Sequence, residues 1–181
     1  KMKIAILTLG TQGDVQPYAI LGEALMKRGH QVTLSTAKNF SGLVESYGID
    51  FLPVEADFHE FLNSDEGKRM MKNPFRAKRN LKTWVYPMIY NALKTFYKVS
   101  RESDRVLFHV KTMGDYFADQ FPEKMIRANV VPAIEYTTEF VNPVFSALPI
   151  PSFLNGLSYK LSDLGVRMMM KPVKRFRKES K

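Results

Sequence analysis

Eight consecutive residues, Gly10-Thr11-Gln12-Gly13-Asp14-Val15-Gln16-Pro17, carry the strongest chemical signal in the 181-residue chain. Two glycines let the backbone turn tightly and approach a ligand, and a carboxylate follows at the mouth of a helix that Pro17 opens. A carboxylate in that place can stabilise the helix amino terminus through its dipole. The three histidines, His30, His59 and His109, are dispersed without ligand-like spacing, so no metal is expected. The absence of cysteine excludes a disulfide scaffold, a thiolate zinc site, a redox pair and a cysteine nucleophile together.

The surrounding elements are those that place such a loop. Lys3 to Leu9 is a mostly apolar run ended by glycine, the pattern of a strand buried on both faces of a parallel sheet. A helix is predicted to open at Pro17 and to end just before Gly29, with Ile20, Leu21, Ala24 and Leu25 at helical spacing. Gln31–Thr36 reads as a second strand, Ser41–Tyr47 as a short helix ended by Gly48, and Asp50–Val54 as a third strand. Leu81, Val85, Met88, Ile89, Ala92, Leu93 and Phe96 form a helical stripe in which Pro87 marks a start or a kink. Arg105–Val110 is predicted as a fourth strand, Tyr116–Ile126 as a helical passage broken by Pro122, and Val130–Tyr136 as a fifth strand. Leu154–Lys181 mixes apolar residues with a basic end, and Pro172 stands inside it.

Alternation of this kind implies the α/β class, a doubly wound Rossmann-like parallel sheet in one domain. No stretch approaches the roughly 18 apolar residues of a membrane span. Ile4–Leu9, followed at once by Gly10 and Gly13, is not shaped as a secretory signal. In open parallel sheets ligands bind beyond the carboxyl ends of the strands, beside the first strand. A dinucleotide fingerprint at that place requires G-x-G-x-x-G and an acid ending the second strand; this chain has G-x-x-G, with Thr33, Ser35 and Thr36 instead of the acid. It also lacks the Walker lysine, and Asp14 would repel a pyrophosphate laid on the loop.

Thr8 to Pro17, with Leu21, Ala24, Leu25, Gly29, His30 and Val32 after it, resembles the opening of the family 1 and family 28 glycosyltransferases of the GT-B fold. The resemblance is to the sterol and lipid glucosyltransferases and the bacterial natural-product glycosyltransferases, which share a G-[ST]-x-G-D-[VT]-x-P loop. His109 and Lys111 are similar to the H-P-K element of the sterol-type members, with Val110 in place of proline. Asn155, Ser158 and Tyr159 fall in an N-x-x-S-Y segment, and Arg175-Phe176-Arg177 resembles the stretch that leads into an interdomain linker.

The resemblance implies an inverting transfer of sugar from a nucleotide diphosphate sugar, of the UDP-glucose type, to the hydroxyl of a lipid, sterol or other hydrophobic acceptor. Neither cofactor nor metal is implied. Residues 1–181 would be the acceptor-binding domain, and a second Rossmann-like domain would hold most of the nucleotide-sugar contacts. Asp14 takes the role of general base, with Gly10, Thr11, Gln12 and Gly13 as the donor-facing loop. Strand order 3-2-1-4-5 would turn Asp14 and His109 toward one crevice, so the two are expected to act as a pair. An acceptor pocket is expected from the loops after the third, fourth and fifth strands, around Phe58, Phe61, Glu135, Tyr136, Phe140 and Phe145.

The net charge of +9 is concentrated: ten Lys or Arg and no acid lie between Gly67 and Arg101. Most such runs are solvated faces. The functional reading is a surface for an anionic membrane, formed by Lys68, Arg69, Lys72, Lys78, Arg79 and Trp84, which suits a cytoplasmic enzyme peripheral to the inner membrane face. A nucleic-acid partner is not expected, because no ribonucleoprotein-type motif accompanies the charge and Asp14 would be left unexplained. The second reading of the chain is a non-catalytic module that docks on membranes or recruits a separate donor subunit.

Overall fold

In the computed structural model, residues 1–54, 65, 68, 81–131, 136–168 and 170–180 are described. Strand β1 (Lys3–Leu7) buries Ile4 and Ile6 on one face and Ala5 and Leu7 on the other, so it must be central. It pairs in parallel with β2 (Gln31–Ala37) and with β4 (Arg105–Phe108), while β3 (Asp50–Val54) and β5 (Met125–Arg127) form the edges. The order is β3-β2-β1-β4-β5, the doubly wound arrangement that the alternating pattern predicts.

Each face is covered by helices whose apolar stripes match it. Helix α1 (Gln12–Lys27) and the short α2 (Ser41–Ser46) pack Val15, Tyr18, Ala19 and Val44 on Ile4, Ile6, Val32 and Leu34. Helix α3 (Tyr86–Glu102) lays Ile89, Ala92, Leu93, Phe96 and Val99 on Ala5, Leu7, Val106 and Phe108. It begins at Tyr86 and does not kink at Pro87: a π turn over Leu81–Val85 leads in, and the proline sits in the first turn, where its missing N–H costs nothing. Toward the carboxyl terminus, α4 (Asn155–Met168) and α5 (Met170–Glu179) divide near Pro172. Among the described residues, no helix is long and apolar enough to cross a membrane.

Four expectations are corrected. Helix α1 starts at Gln12, five residues before Pro17, because Asp14 at its third position reaches back to the Thr11 N–H and satisfies it one turn early. Strands β1 and β4 stop at Leu7 and Phe108, leaving Thr8, Leu9, His109 and Val110 in the crossings beyond the sheet. Among the described residues the fifth strand is Met125–Arg127, ahead of the expected Val130–Tyr136. It is a short edge strand with Ile126 47% exposed, so it lacks a buried apolar run. Its ladder closes through the Val106 N–H to Lys124 O and the Ala128 N–H to Phe108 O, both 2.9 Å. Val130 and Val131 fall after it, and 132–135 lie outside the described residues. The expected helical passage at 116–126 consists of 3-10 turns, Gly114–Tyr116 and Ala118–Gln120, ahead of a left-handed Glu123.

Helix α5 is part of the core rather than a tail. Phe176 is 4% exposed and meets Tyr97 and Phe117 edge-on, with ring centroids 5.4 and 6.2 Å away. Phe176→Ala is therefore expected to cost about 3–5 kcal/mol and to lower Tm by about 10 °C. A thermal melt by circular dichroism checks this; an unchanged Tm would place α5 outside the cooperative unit.

Candidate functional site

The site lies where β1 and β4 end side by side. The register pairs Leu7 with Phe108, so the next residues, Thr8 and His109, leave the sheet together. After β1 the chain passes through Gly10, whose φ of 139° suits glycine alone, and enters α1. The Asp14 carboxylate folds back over this turn: an ideal Cβ on Gly10 would stand 2.2 Å from Asp14 Oδ2. Gly10 is thus required twice, for its backbone conformation and for the space that the carboxylate occupies.

Asp14 is 7% exposed and fully engaged. Its Oδ2 accepts hydrogen bonds from the Thr11 N–H at 2.8 Å and the Thr11 hydroxyl at 3.1 Å. Its Oδ1 accepts from Lys111 Nζ at 2.7 Å, and its main-chain oxygen accepts the Thr8 hydroxyl at 2.9 Å. Burial alone would push the Asp14 carboxyl up, but the Lys111 ammonium and the two Thr11 donors outweigh it and hold the group below its ordinary value. The carboxylate is therefore ionised at neutral pH.

Lys111 stands on the 3-10 turn Val110–Thr112 directly after β4, a turn pinned by the Thr112 hydroxyl donating to His109 O at 2.6 Å. Lys111, not His109, is the hydrogen-bonding basic partner of Asp14. The His109 ring is fully buried, edge-on to Tyr18 at 6.1 Å, and neither ring nitrogen has a hydrogen-bond partner among the described residues. Burial first, and the Lys111 charge second, push its pKa down against the opposing pull of Asp14. Tyr18 donates its hydroxyl to Ala128 O, and its pKa is pushed up to about 12 by burial and by the Asp14 charge.

A pH dependence follows from His109. Its folded-state pKa lies below the unfolded value of about 6.5, so below that pH the unfolded chain takes up a proton that the folded chain refuses. Stability is fully present above pH 6.5 and falls as pH drops toward 5, by at most about 1.4 kcal/mol per pH unit. Asp14, also lowered, adds a loss only at more acid pH, as its carboxyl protonates. Urea midpoints at pH 7, 6 and 5 measure this. His109→Gln should flatten the profile, whereas a flat profile in the unsubstituted chain would contradict the buried neutral imidazole.

Beside the Asp14–Lys111 pair opens a pocket of about 240 Å³, walled by Leu9, Gly10, Ile89, Ala92, Leu93, Lys111, Thr112 and Met113. Its wall is almost wholly apolar apart from Lys111 and Thr112, so it offers space for a hydrophobic group next to a carboxylate. Of these wall residues the sequence marks Gly10 in the loop and Lys111 beside His109, whereas Ile89, Ala92 and Leu93 read as a core stripe. Only their position past the end of β1 distinguishes them.

The other expected site residues fall elsewhere. Phe58, Phe61, Glu135, Arg69, Lys72, Lys78 and Arg79 lie outside the described residues. Lys68 is exposed, and Trp84 belongs to the π turn before α3. Tyr136 and Phe140 are exposed and gather around Tyr159 of α4, at 5.8 and 6.4 Å, rather than around this pocket; Phe145 is half-buried in the 3-10 turn Pro143–Phe145. The N-x-x-S-Y residues fasten that loop: Asn155 Nδ2 donates to Thr138 O at 3.0 Å, and the Ser158 hydroxyl oxygen accepts the Asn142 N–H at 2.8 Å. Gly10 to Gly13 form the turn into α1, with Thr11 holding Asp14. Among the described residues, no cluster of three or more His, Asp or Glu is placed to hold a metal ion.

The doubly wound sheet, with a glycine-bounded carboxylate beyond its first strand, matches what is expected of the amino-terminal Rossmann-like domain of a GT-B glycosyltransferase, and the comparisons with known proteins show that class. The chain belongs to the glycosyltransferase family 28 N-terminal domain family, whose model matches residues 4–111. It is similar to a sterol 3-beta-glucosyltransferase of Candida albicans, 29% identical over 132 residues that make up 71% of this chain and 8% of that protein. A sterol 3-beta-glucosyltransferase of Saccharomyces cerevisiae is 53% identical over 61 residues, 34% of this chain and 5% of that protein. Among solved structures, the glycosyltransferase of kitacinnamycin superposes with a TM-score of 0.55 at 17% identity, over 97% of this chain and 38% of that one. The calicheamicin glycosyltransferase CalG4 gives 0.50 at 17% identity, over 97% and 45%. The chain spans a tenth or less of the curated relatives named here and under half of these solved chains.

Proposed function

We propose that these residues are the acceptor-binding half of an inverting glycosyltransferase that moves a sugar from a nucleotide diphosphate sugar, of the UDP-glucose type, to the hydroxyl of a sterol or other hydrophobic alcohol. The observation that carries this reading is the Asp14 carboxylate, ionised and locked against Gly10 and Lys111, two residues that line an apolar pocket. The named sterol glucosyltransferase relatives support the acceptor class.

In this reading the apolar body of the alcohol lies along Leu9, Ile89, Ala92 and Met113, with its hydroxyl toward Asp14. The hydroxyl oxygen attacks the anomeric carbon and gives its proton to an Asp14 oxygen. The bond to the nucleotide diphosphate breaks on the opposite face, and the leaving phosphate keeps the electron pair. A carboxylate held below its ordinary pKa is a weak base, so proton transfer comes late, when the attacking oxygen has become acidic. Lys111 fixes the direction of the carboxylate, and Gly10 to Gly13 face the donor, whose remaining contacts belong to a second domain. His109 stays in the core, edge-on to Tyr18, and takes no proton in this reading.

The test is transfer of radiolabelled glucose from UDP-glucose by the protein carrying both domains, offered a sterol, a long-chain alcohol and a polar glycoside. Label is expected in the sterol or long-chain product, and none is expected with residues 1–181 alone. Transfer to the polar acceptor only, or turnover by the 181 residues by themselves, would overturn the reading.

A further inference from the structure

Two basic runs that are far apart in sequence meet in one groove. The run that begins at Lys68 ends with Lys82, just before α3, and the carboxyl-terminal run begins with Lys171 in α5. Packing of α5 on α3 sets Lys82, Lys171 and Arg175 around a groove of about 300 Å³ that Tyr86, Tyr90 and Asn91 also line. The groove uses a different face of α3 from Ile89, Ala92 and Leu93, so it is separate from the pocket beside Asp14.

The charges in this groove are poorly compensated. Glu179 is the acid at its edge, and it is already taken: Arg175 Nε donates to its Oε1 at 2.9 Å and the Tyr90 hydroxyl donates to its Oε2. The Arg175 guanidinium lies over the Tyr90 ring, 4.9 Å from the centroid, which fixes it in the wall. Among the described residues, neither Lys82 nor Lys171 has an acidic partner. The seam between the helices is held by apolar contacts of Val173 and Phe176, and packing of that kind does not require like charges to face one another across it. Their convergence raises the energy of the empty groove and lowers it when an anion enters.

We infer that this groove binds a phosphate group, with Lys82 and Lys171 as the charge-carrying ligands and Arg175 as the fixed wall. Lysines suit phosphate as mobile point charges, and Asn91 adds a neutral donor. The phosphate is either soluble or borne by a lipid headgroup; both present the same dianionic or monoanionic oxygens. The inference does not depend on the transferase reading, because no step at Asp14 enters it.

The 181-residue chain is titrated with inorganic phosphate and followed by amide NMR, and in parallel is sedimented with phosphatidylcholine vesicles with and without phosphatidic acid. Saturable phosphate shifts are expected at residues 86–91 and 171–175. The Lys82→Gln/Lys171→Gln double variant should bind about thirtyfold more weakly, at an unchanged urea midpoint. A Lys98→Gln/Lys160→Gln variant, equal in net charge but distant in sequence from the groove, should bind as before. Sedimentation with phosphatidic acid that free phosphate reverses identifies a lipid source; phosphate binding without sedimentation identifies a soluble one. The inference is overturned if neither probe binds, if the Lys82/Lys171 variant binds normally, or if the control variant loses binding equally.

Discussion

In the two-domain transferase proposed above, Gly10→Ala is expected to reduce turnover by about a hundredfold while leaving the domain folded. The backbone at Gly10, with φ at 139°, lies in a region that alanine enters only at a cost of about 1–3 kcal/mol. The new methyl would also stand 2.2 Å from Asp14 Oδ2 and 2.7 Å from its Cγ. The carboxylate must then swing out and give up the Thr11 N–H or Lys111, and a displacement of about 1 Å at a reacting group is enough for a loss of that size. The stability cost is smaller, a fall in Tm of about 5 °C. Steady-state rates and a thermal melt on the same preparation separate the two effects. Wild-type turnover in Gly10→Ala would mean that the seat of the Asp14 carboxylate is not what the reaction needs.

The elements with periodic burial are legible in the residues themselves. Lys3–Leu7 is apolar on both faces, so it belongs in the middle of the sheet, and the stripe from Ile89 to Phe96 faces a single layer. Met125–Arg127 has no such pattern because an edge strand buries little, and its pairing is fixed by main-chain bonds that no side chain announces. The start of α1 misleads for a different reason. Proline favours the first helical position, but the Asp14 carboxylate caps Thr11 first, and Pro17 is tolerated deeper in the helix.

The candidate site is legible in part. The Gly10-to-Pro17 loop identifies Asp14 and its place beyond the first strand by local spacing alone. Its partner is another matter: Lys111 lies 97 residues away, and the choice between it and His109 depends on a single 3-10 turn that sends one side chain over the crevice and the other into the core. Pocket walls are hidden for a similar reason. Leu9, Ala92 and Met113 look like any core residues until the sheet ends beside them. The groove at Lys82 and Lys171 exists only because α5 returns to α3, which neither basic run reveals.

Asp14→Asn, in the two-domain transferase proposed above, tests whether this carboxylate is the base. Asparagine keeps the size of the side chain and an oxygen that accepts the Thr11 N–H, so α1 retains its start. It loses the charge that pairs with Lys111, whose side chain is 47% exposed, at a cost of about 1 kcal/mol or less. It also loses the group that takes the proton, for which a drop of about a hundredfold to ten-thousandfold in rate is expected. The two losses are read separately by single-turnover transfer at saturating acceptor and by equilibrium binding of that acceptor. A rate reduced by at least about a hundredfold with acceptor affinity unchanged is the expected result. Single-turnover transfer at the wild-type rate, with a lower melting temperature as the sole defect, would contradict it and leave Asp14 as a helix cap.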